Sequence, residues 1–248
     1  MIDDIRTVIW KEWKEVILQQ GGSSRRGTQL RILLLFLVFG FVIPWRAGAG
    51  YIDNPMSLIV PSFVPIFAIL GTVTDSFAGE RERHTLETLL ASRLSDEAIL
   101  IGKMLCAVFF AWISLIVMMG LGLLGTNLSH YEGRILMFPT DRLIAALVFN
   151  FLFALLVSSA GVLVSLRAPT VRQAMQILSF SFMGIVYGGV FGFQFFVPPE
   201  WRAKLIQWFA GNNLTQTEVI LALILFVLSA VLFSAARLLF RRARLILD

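Results

Sequence analysis

Few residues in this chain are equipped for chemistry, and most of those lie in one stretch, residues 79–103, GERERHTLETLLASRLSDEAILIGK. Its last pair, Gly102-Lys103, looks like the end of a phosphate-binding loop, in which backbone N–H groups and a lysine cradle the phosphates of a nucleotide. The rest of that loop is missing: position 97 is Glu where the first glycine belongs, and Met104 stands where a Ser or Thr would hold magnesium. The chain therefore does not bind ATP in that way. Ser114 and His130 could be pictured as nucleophile and base, but no Gly-x-Ser-x-Gly surrounds the serine and the histidine falls in a connecting loop. The single cysteine, Cys106, excludes an internal disulfide, and two distant histidines, His84 and His130, offer no metal cluster. The sequence assigns no catalytic, cofactor-binding or metal-ligating residue.

The elements that must hold the 79–103 stretch are apolar. Of 248 residues, 57% are hydrophobic and 15% charged, against about 45–50% and about 25% in an ordinary soluble domain. The net charge of +5 does not gather into a nucleic-acid patch, because the basic residues punctuate the ends of apolar runs. An all-α integral membrane protein follows. A bilayer core of ~30 Å needs about 20 apolar residues in a helix. Six runs qualify, at about 29–46, 57–76, 99–124, 143–166, 173–197 and 217–239. Pro61 and Pro65 predict a kinked or irregular outer half of the second. Charges are absent from the middle of every span, which argues against an ion-coupled carrier. The deep polar groups are mild: Asn150, Ser158, Ser159, Ser179, Ser181 and Gln194.

With a cytoplasmic N-terminus, 16 of the 21 Lys and Arg residues face the cytoplasm and 5 face outward, as the positive-inside rule requires. Both termini are then cytoplasmic, in a multi-pass protein of the inner or plasma membrane, and residues 1–248 form one transmembrane domain. The opening residues, with acids at Asp3 and Asp4, are not a secretory signal. Residues 2–19 place Ile5, Ile9, Trp13 and Val16 at helical spacing among Lys11, Glu12, Lys14 and Glu15, predicting an amphipathic helix on the inner leaflet. Residues of about 199–209 read either as a second short amphipathic helix, with Trp201, Leu205 and Trp208 on one face, or as a plain anchoring loop.

On this topology residues 79–93 cross the cytoplasmic mouth of the hairpin between spans two and three. Leu86, Leu89, Leu90 and Leu94 recur at helical period, charges of both signs crowd the front, and Ser95-Asp96-Glu97 reads as the N-cap of span three. A helix of three to four turns with a leucine face is expected, more than a plain connector needs. Docking to a second protein accounts for it better than an inert connector does.

The stretch resembles the signature of the ABC-2 type transporter permeases, similar to E-[RK]-x-x-G-T-[LI]-E-x-L-L-x-x-P-[VL]-S followed by a Gly-Lys entering the third span. Glu80, Arg81, Thr85, Leu86, Glu87, Leu89, Leu90, Ser95, Gly102 and Lys103 match; His84 replaces the usual Gly and Arg93 the usual Pro, changes that touch how the helix bends and ends. The N-terminal W-K-E-W-K-E is similar to the family's opening helix. The resemblance implies that residues 79–93 are a coupling helix set in a groove of a cytoplasmic ATP-binding subunit, with Glu80, Arg81, Glu82, Arg83, His84, Thr85, Leu86, Glu87 and Leu90 in contact. It implies a smaller second contact at Arg167, Thr170 and Arg172 in RAPTVR. ATP and magnesium would sit on two such partner subunits, a second permease chain, the same or homologous, would complete the transporter, and alternating access would move the cargo. Gly184, Gly188 and Gly192, four apart in span five, form a small-residue stripe for helix packing, either within the chain or with a second permease.

Phe, Met, Ser and Gly along such a path would suit an amphipathic or hydrophobic cargo, and the family mostly exports. Two alternatives stand beside this reading: a haem-export-type permease of cytochrome maturation, and a membrane scaffold that moves nothing.

Overall fold

The structure, a computed structural model, describes residues 1–18, 26–53, 61, 65, 69–131, 133–204 and 214–240. Among these residues all regular structure is helical. The amphipathic helix α1 spans Ile2–Leu18. Helix α2 runs over residues 26–47 and is followed by a short α3, Ala49–Asp53. Helix α4 occupies residues 69–82 and α5 Leu86–Leu90. The long helices are α6, Asp96–Ser129, α7, Thr140–Arg167, and α8, Val171–Phe196. A short helix α9 at residues 199–204 precedes α10, Leu214–Leu239.

Four of these helices are long and apolar enough to cross a membrane: α6, α7, α8 and residues 219–239 of α10. In α2 the apolar part is shorter, Leu33–Ala47. Half of the run expected at 57–76, including the surroundings of Pro61 and Pro65, lies outside the described residues, as do Leu205 and Trp208 of the expected outer helix.

Local chemistry explains where the helices bend and stop. Pro44 offers no N–H and its ring crowds the carbonyl four residues back. The helix absorbs this with a π turn at Val38–Val42, closed by Ile43 N–H on the Val38 carbonyl, and continues through the proline. It ends at Gly48, whose φ of 59° is left-handed and whose missing Cβ leaves room for the His130 ring. Ser95 caps α6 as its sequence predicts, its hydroxyl accepting from the Ala98 N–H at 3.2 Å.

Helix α6 is the spine. At 34 residues it is about 50 Å long, so its ends overhang a ~30 Å hydrocarbon core. Close approaches fix its neighbours. Gly102, near its start, admits Val8 of α1, and Gly125, near its end, admits the Phe41 carbonyl of α2. Helix α7 returns beside α6 and packs most extensively against α10. Arg237 at the end of α10 pairs with Glu97 at the start of α6. One end of the bundle thus gathers α1, α5, the start of α6 and the ends of α7 and α10; we call it the near end.

Candidate functional site

The near end is organised by residues 76–90. The expected helix of three to four turns is instead two short pieces, residues 80–82 and Leu86–Leu90. His84 breaks it at a φ of 55°. The Thr85 N–H reaches the Glu80 carbonyl at 2.9 Å, and the His84 N–H reaches Arg81 at 3.1 Å. That paired closure around a left-handed residue is a Schellman C-cap, where glycine is the favoured occupant. The position at which His84 replaces the usual Gly is therefore a helix stop.

Upstream of the stop, α4 contains a second π turn, Asp75–Gly79. Ser165 of α7 packs into it. Its hydroxyl accepts from the N–H groups of Phe77, at 3.2 Å, and Ala78, at 2.9 Å, and donates to the Thr74 carbonyl at 2.9 Å. All of these groups are buried.

The charged residues then divide by direction. Arg81 donates to the carbonyls of Leu166, at 2.9 Å, and Ala168, capping the end of α7. Glu82 accepts from the Val171 N–H at 2.9 Å, placing a carboxylate at the start of α8. Both signs suit the dipoles of the helix ends they meet. The two segments singled out in the sequence, 79–93 and 167–172, are thereby joined into one surface. Leu86, Leu89 and Leu90 turn into the core with Phe77, Ile99 and Leu100. Arg83, paired with Asp75 at 3.1 Å, His84, Thr85, Glu87, Arg167, Thr170 and Arg172 remain exposed.

Glu80 faces inward, 1% exposed, into a cluster of five charged side chains. Lys103 meets it at 3.0 Å and Glu12 at 2.7 Å; Lys11 meets Glu80 at 2.7 Å and Glu15 at 3.3 Å. Burial works against the charge on Lys11. Even so, the hydrogen bond to Glu80 and the nearby carboxylates hold its pKa above the ordinary 10.5. The oxygens of Glu12, Glu15 and Glu80 lie within 4.8 Å of one another, a spacing a cation could use. The ammonium groups of Lys11 and Lys103 already answer them, so the arrangement is an ion-pair cluster. Sequence periodicity had put Glu12 on the polar face of α1; it shares its buried face with Val8, four residues earlier.

A Cβ on Gly184, Gly188 or Gly192 would find no atom within 4 Å among the described residues. Tyr187, Phe191 and Phe195 stack along the neighbouring face of α8, centroids 6.4 and 6.1 Å apart, and are exposed. The Ser114 hydroxyl donates to the Phe110 carbonyl within its own helix, and His130 Nδ1 lies 2.8 Å from the Ser129 hydroxyl.

A match to the family described as ABC-2 type transporter covers residues 3–210, most of the chain. This protein belongs to the ABC-2 type transporter family. A comparison with curated proteins gave no match. Membership makes the chain the membrane component of an ABC transporter, a multi-pass permease and not itself the ATPase. Family members generally work with ATP-binding subunits and often dimerise. In this ABC-2 chain the linking segment and the 167–172 turn share one end, and the glycine face of α8 meets none of the described residues.

Proposed function

We propose that this chain is the membrane half of an ATP-driven exporter, with six spans and both termini in the cytoplasm. It pairs with a second permease and with two separate ATPase subunits that carry ATP and magnesium. The cargo is amphipathic or hydrophobic and moves by alternating access. One observation carries the reading: Arg81 and Glu82 fasten the linking segment to the 167–172 turn, so a single rigid surface presents Glu87, His84, Thr85, Arg167, Thr170 and Arg172 outward. A load on that surface reaches α4, α7 and α8 at once. Glu80, Leu86 and Leu90 serve it from within, by setting its shape. The glycine face of α8, clear of the described residues, offers a close-packing stripe for a second permease.

Co-expression with a soluble ABC-type ATPase subunit from the same organism tests this. The two proteins should co-purify, and reversing charge at two exposed positions, Glu87→Lys with Arg172→Glu, should release the ATPase while the permease stays folded. Recovery of the chain with no nucleotide-hydrolysing partner, or unchanged association in the double variant, would refute it.

A further inference from the structure

Lys103 sits seven residues after the first residue of α6, with a side chain 0% exposed. An ammonium has three protons to donate, and three acceptors surround this one: Glu12 Oε1 at 2.7 Å, the Ser76 carbonyl at 2.7 Å and Glu80 Oε1 at 3.0 Å. The Phe77 ring lies beneath it, 5.2 Å from Nζ to centroid. The acceptors come from α1 and from two turns of α4. Beside the same site, Val8 of α1 presses on Gly102 so closely that a Cβ there would stand 2.6 Å away.

Stability alone explains this poorly. A buried ion pair is often no more stabilising than apolar side chains of the same volume, yet removing one partner is strongly destabilising because it leaves the other charge buried and uncompensated. What such a cluster provides is registry: three helices cannot slide past one another without leaving a charge unpaired. Glu80 strengthens the point, since its Oε1 is shared by Lys11 and Lys103 while its buried Oε2 has no partner among the described residues.

We propose that Lys103 is a positioning residue that fastens α1, residues 76–82 and the start of α6 into one block. A push on the linking segment is then delivered to α6, and α1 travels with it. The proposal rests on the ATPase-driven reading above for the source of the push; the block itself does not.

Two experiments separate these. In the isolated chain, Glu12→Gln keeps the shape and an acceptor oxygen but removes one charge, and amide exchange through α1 should quicken about tenfold, the effect of turning a charge-assisted hydrogen bond into a neutral one, with α7 unchanged. Unchanged exchange in α1 overturns the block. In the complex with the ATPase, spin labels at Trp10→Cys and Thr88→Cys, in a Cys106→Ala background, report the distance from α1 to the linking segment. Wild type should give the same distance with and without MgATP plus vanadate. Glu12→Gln should keep the ATPase bound and hydrolysing while that distance changes with nucleotide. A wild-type distance that shifts with nucleotide, or a Glu12→Gln distance that does not, overturns the proposal. Failure to capture any ATPase removes the reading of function and the transmission of force with it, and leaves the exchange result to decide the block.

Discussion

Replacing Ser165 with alanine should unsettle the near end more than any nearby change of one atom. The hydroxyl satisfies two N–H groups of the π turn and donates to one carbonyl, all in a buried setting. Ser165→Ala takes a buried acceptor from the Phe77 and Ala78 N–H groups, at about 1–3 kcal/mol each. Some of this is recovered if the turn rewinds toward α-helical bonding. That rewinding, however, would rotate residues 80–82 away from Lys103, Leu166 and Val171. A net loss of about 2–4 kcal/mol follows, or about 30- to 1,000-fold in a local opening equilibrium. Amide exchange in detergent, read over residues 73–82, measures it directly. Ser165→Thr keeps the oxygen and adds a methyl group to a fully buried site, so it should cost less, about 1–3 kcal/mol from overpacking. Exchange in Ser165→Ala indistinguishable from wild type would refute the assignment of this hydroxyl as the partner of the π turn.

Three further outcomes follow. Gly102→Ala sets a methyl 2.6 Å from Val8, well inside the 3.5–4.0 Å of ordinary carbon contact; α1 should lift from α6, with a thermal unfolding loss of about 1–3 kcal/mol. His84→Gly should stabilise slightly, by about 0.5–1 kcal/mol, because relief of the left-handed backbone exceeds the added freedom of the unfolded chain, whereas His84→Val should destabilise. Because the folded-state pKa of Lys11 lies above its ordinary 10.5, its contribution is fully present below that value and is lost as pH rises through the folded one. The stability gap between wild type and Lys11→Met should thus be flat from about pH 6 to about pH 9 in unfolding scans and close only in stronger alkali.

The helical, membrane-spanning character was legible because lipid leaves the backbone no alternative to helices of bilayer length. The Ser95 cap and the N-terminal amphipathic helix were legible for a similar reason, as each rests on contacts a few residues apart. His84 was half legible: its replacement of glycine pointed to altered bending, and the left-handed φ shows a helix stop. Ser165 was not legible, because one more hydroxyl near the end of an apolar run has no periodic signature, and its partners lie 87 to 91 residues away. The inward turn of Glu12 and Glu80 was hidden by the habit of assigning charge to solvent. A signal existed: a lysine two turns into an apolar helix must have a counter-charge, and α1 offers Glu12 one helical turn beyond Val8.

The most direct test of the central claim is site-specific photo-cross-linking in intact cells from Glu87, on the exposed side of α5, with the exposed Tyr131 at the opposite end of α6 as the control. The account predicts a covalent adduct between the Glu87 position and a soluble, ATP-hydrolysing protein, and no such adduct from Tyr131. Absence of that adduct from Glu87, or its capture from Tyr131 instead, would contradict it.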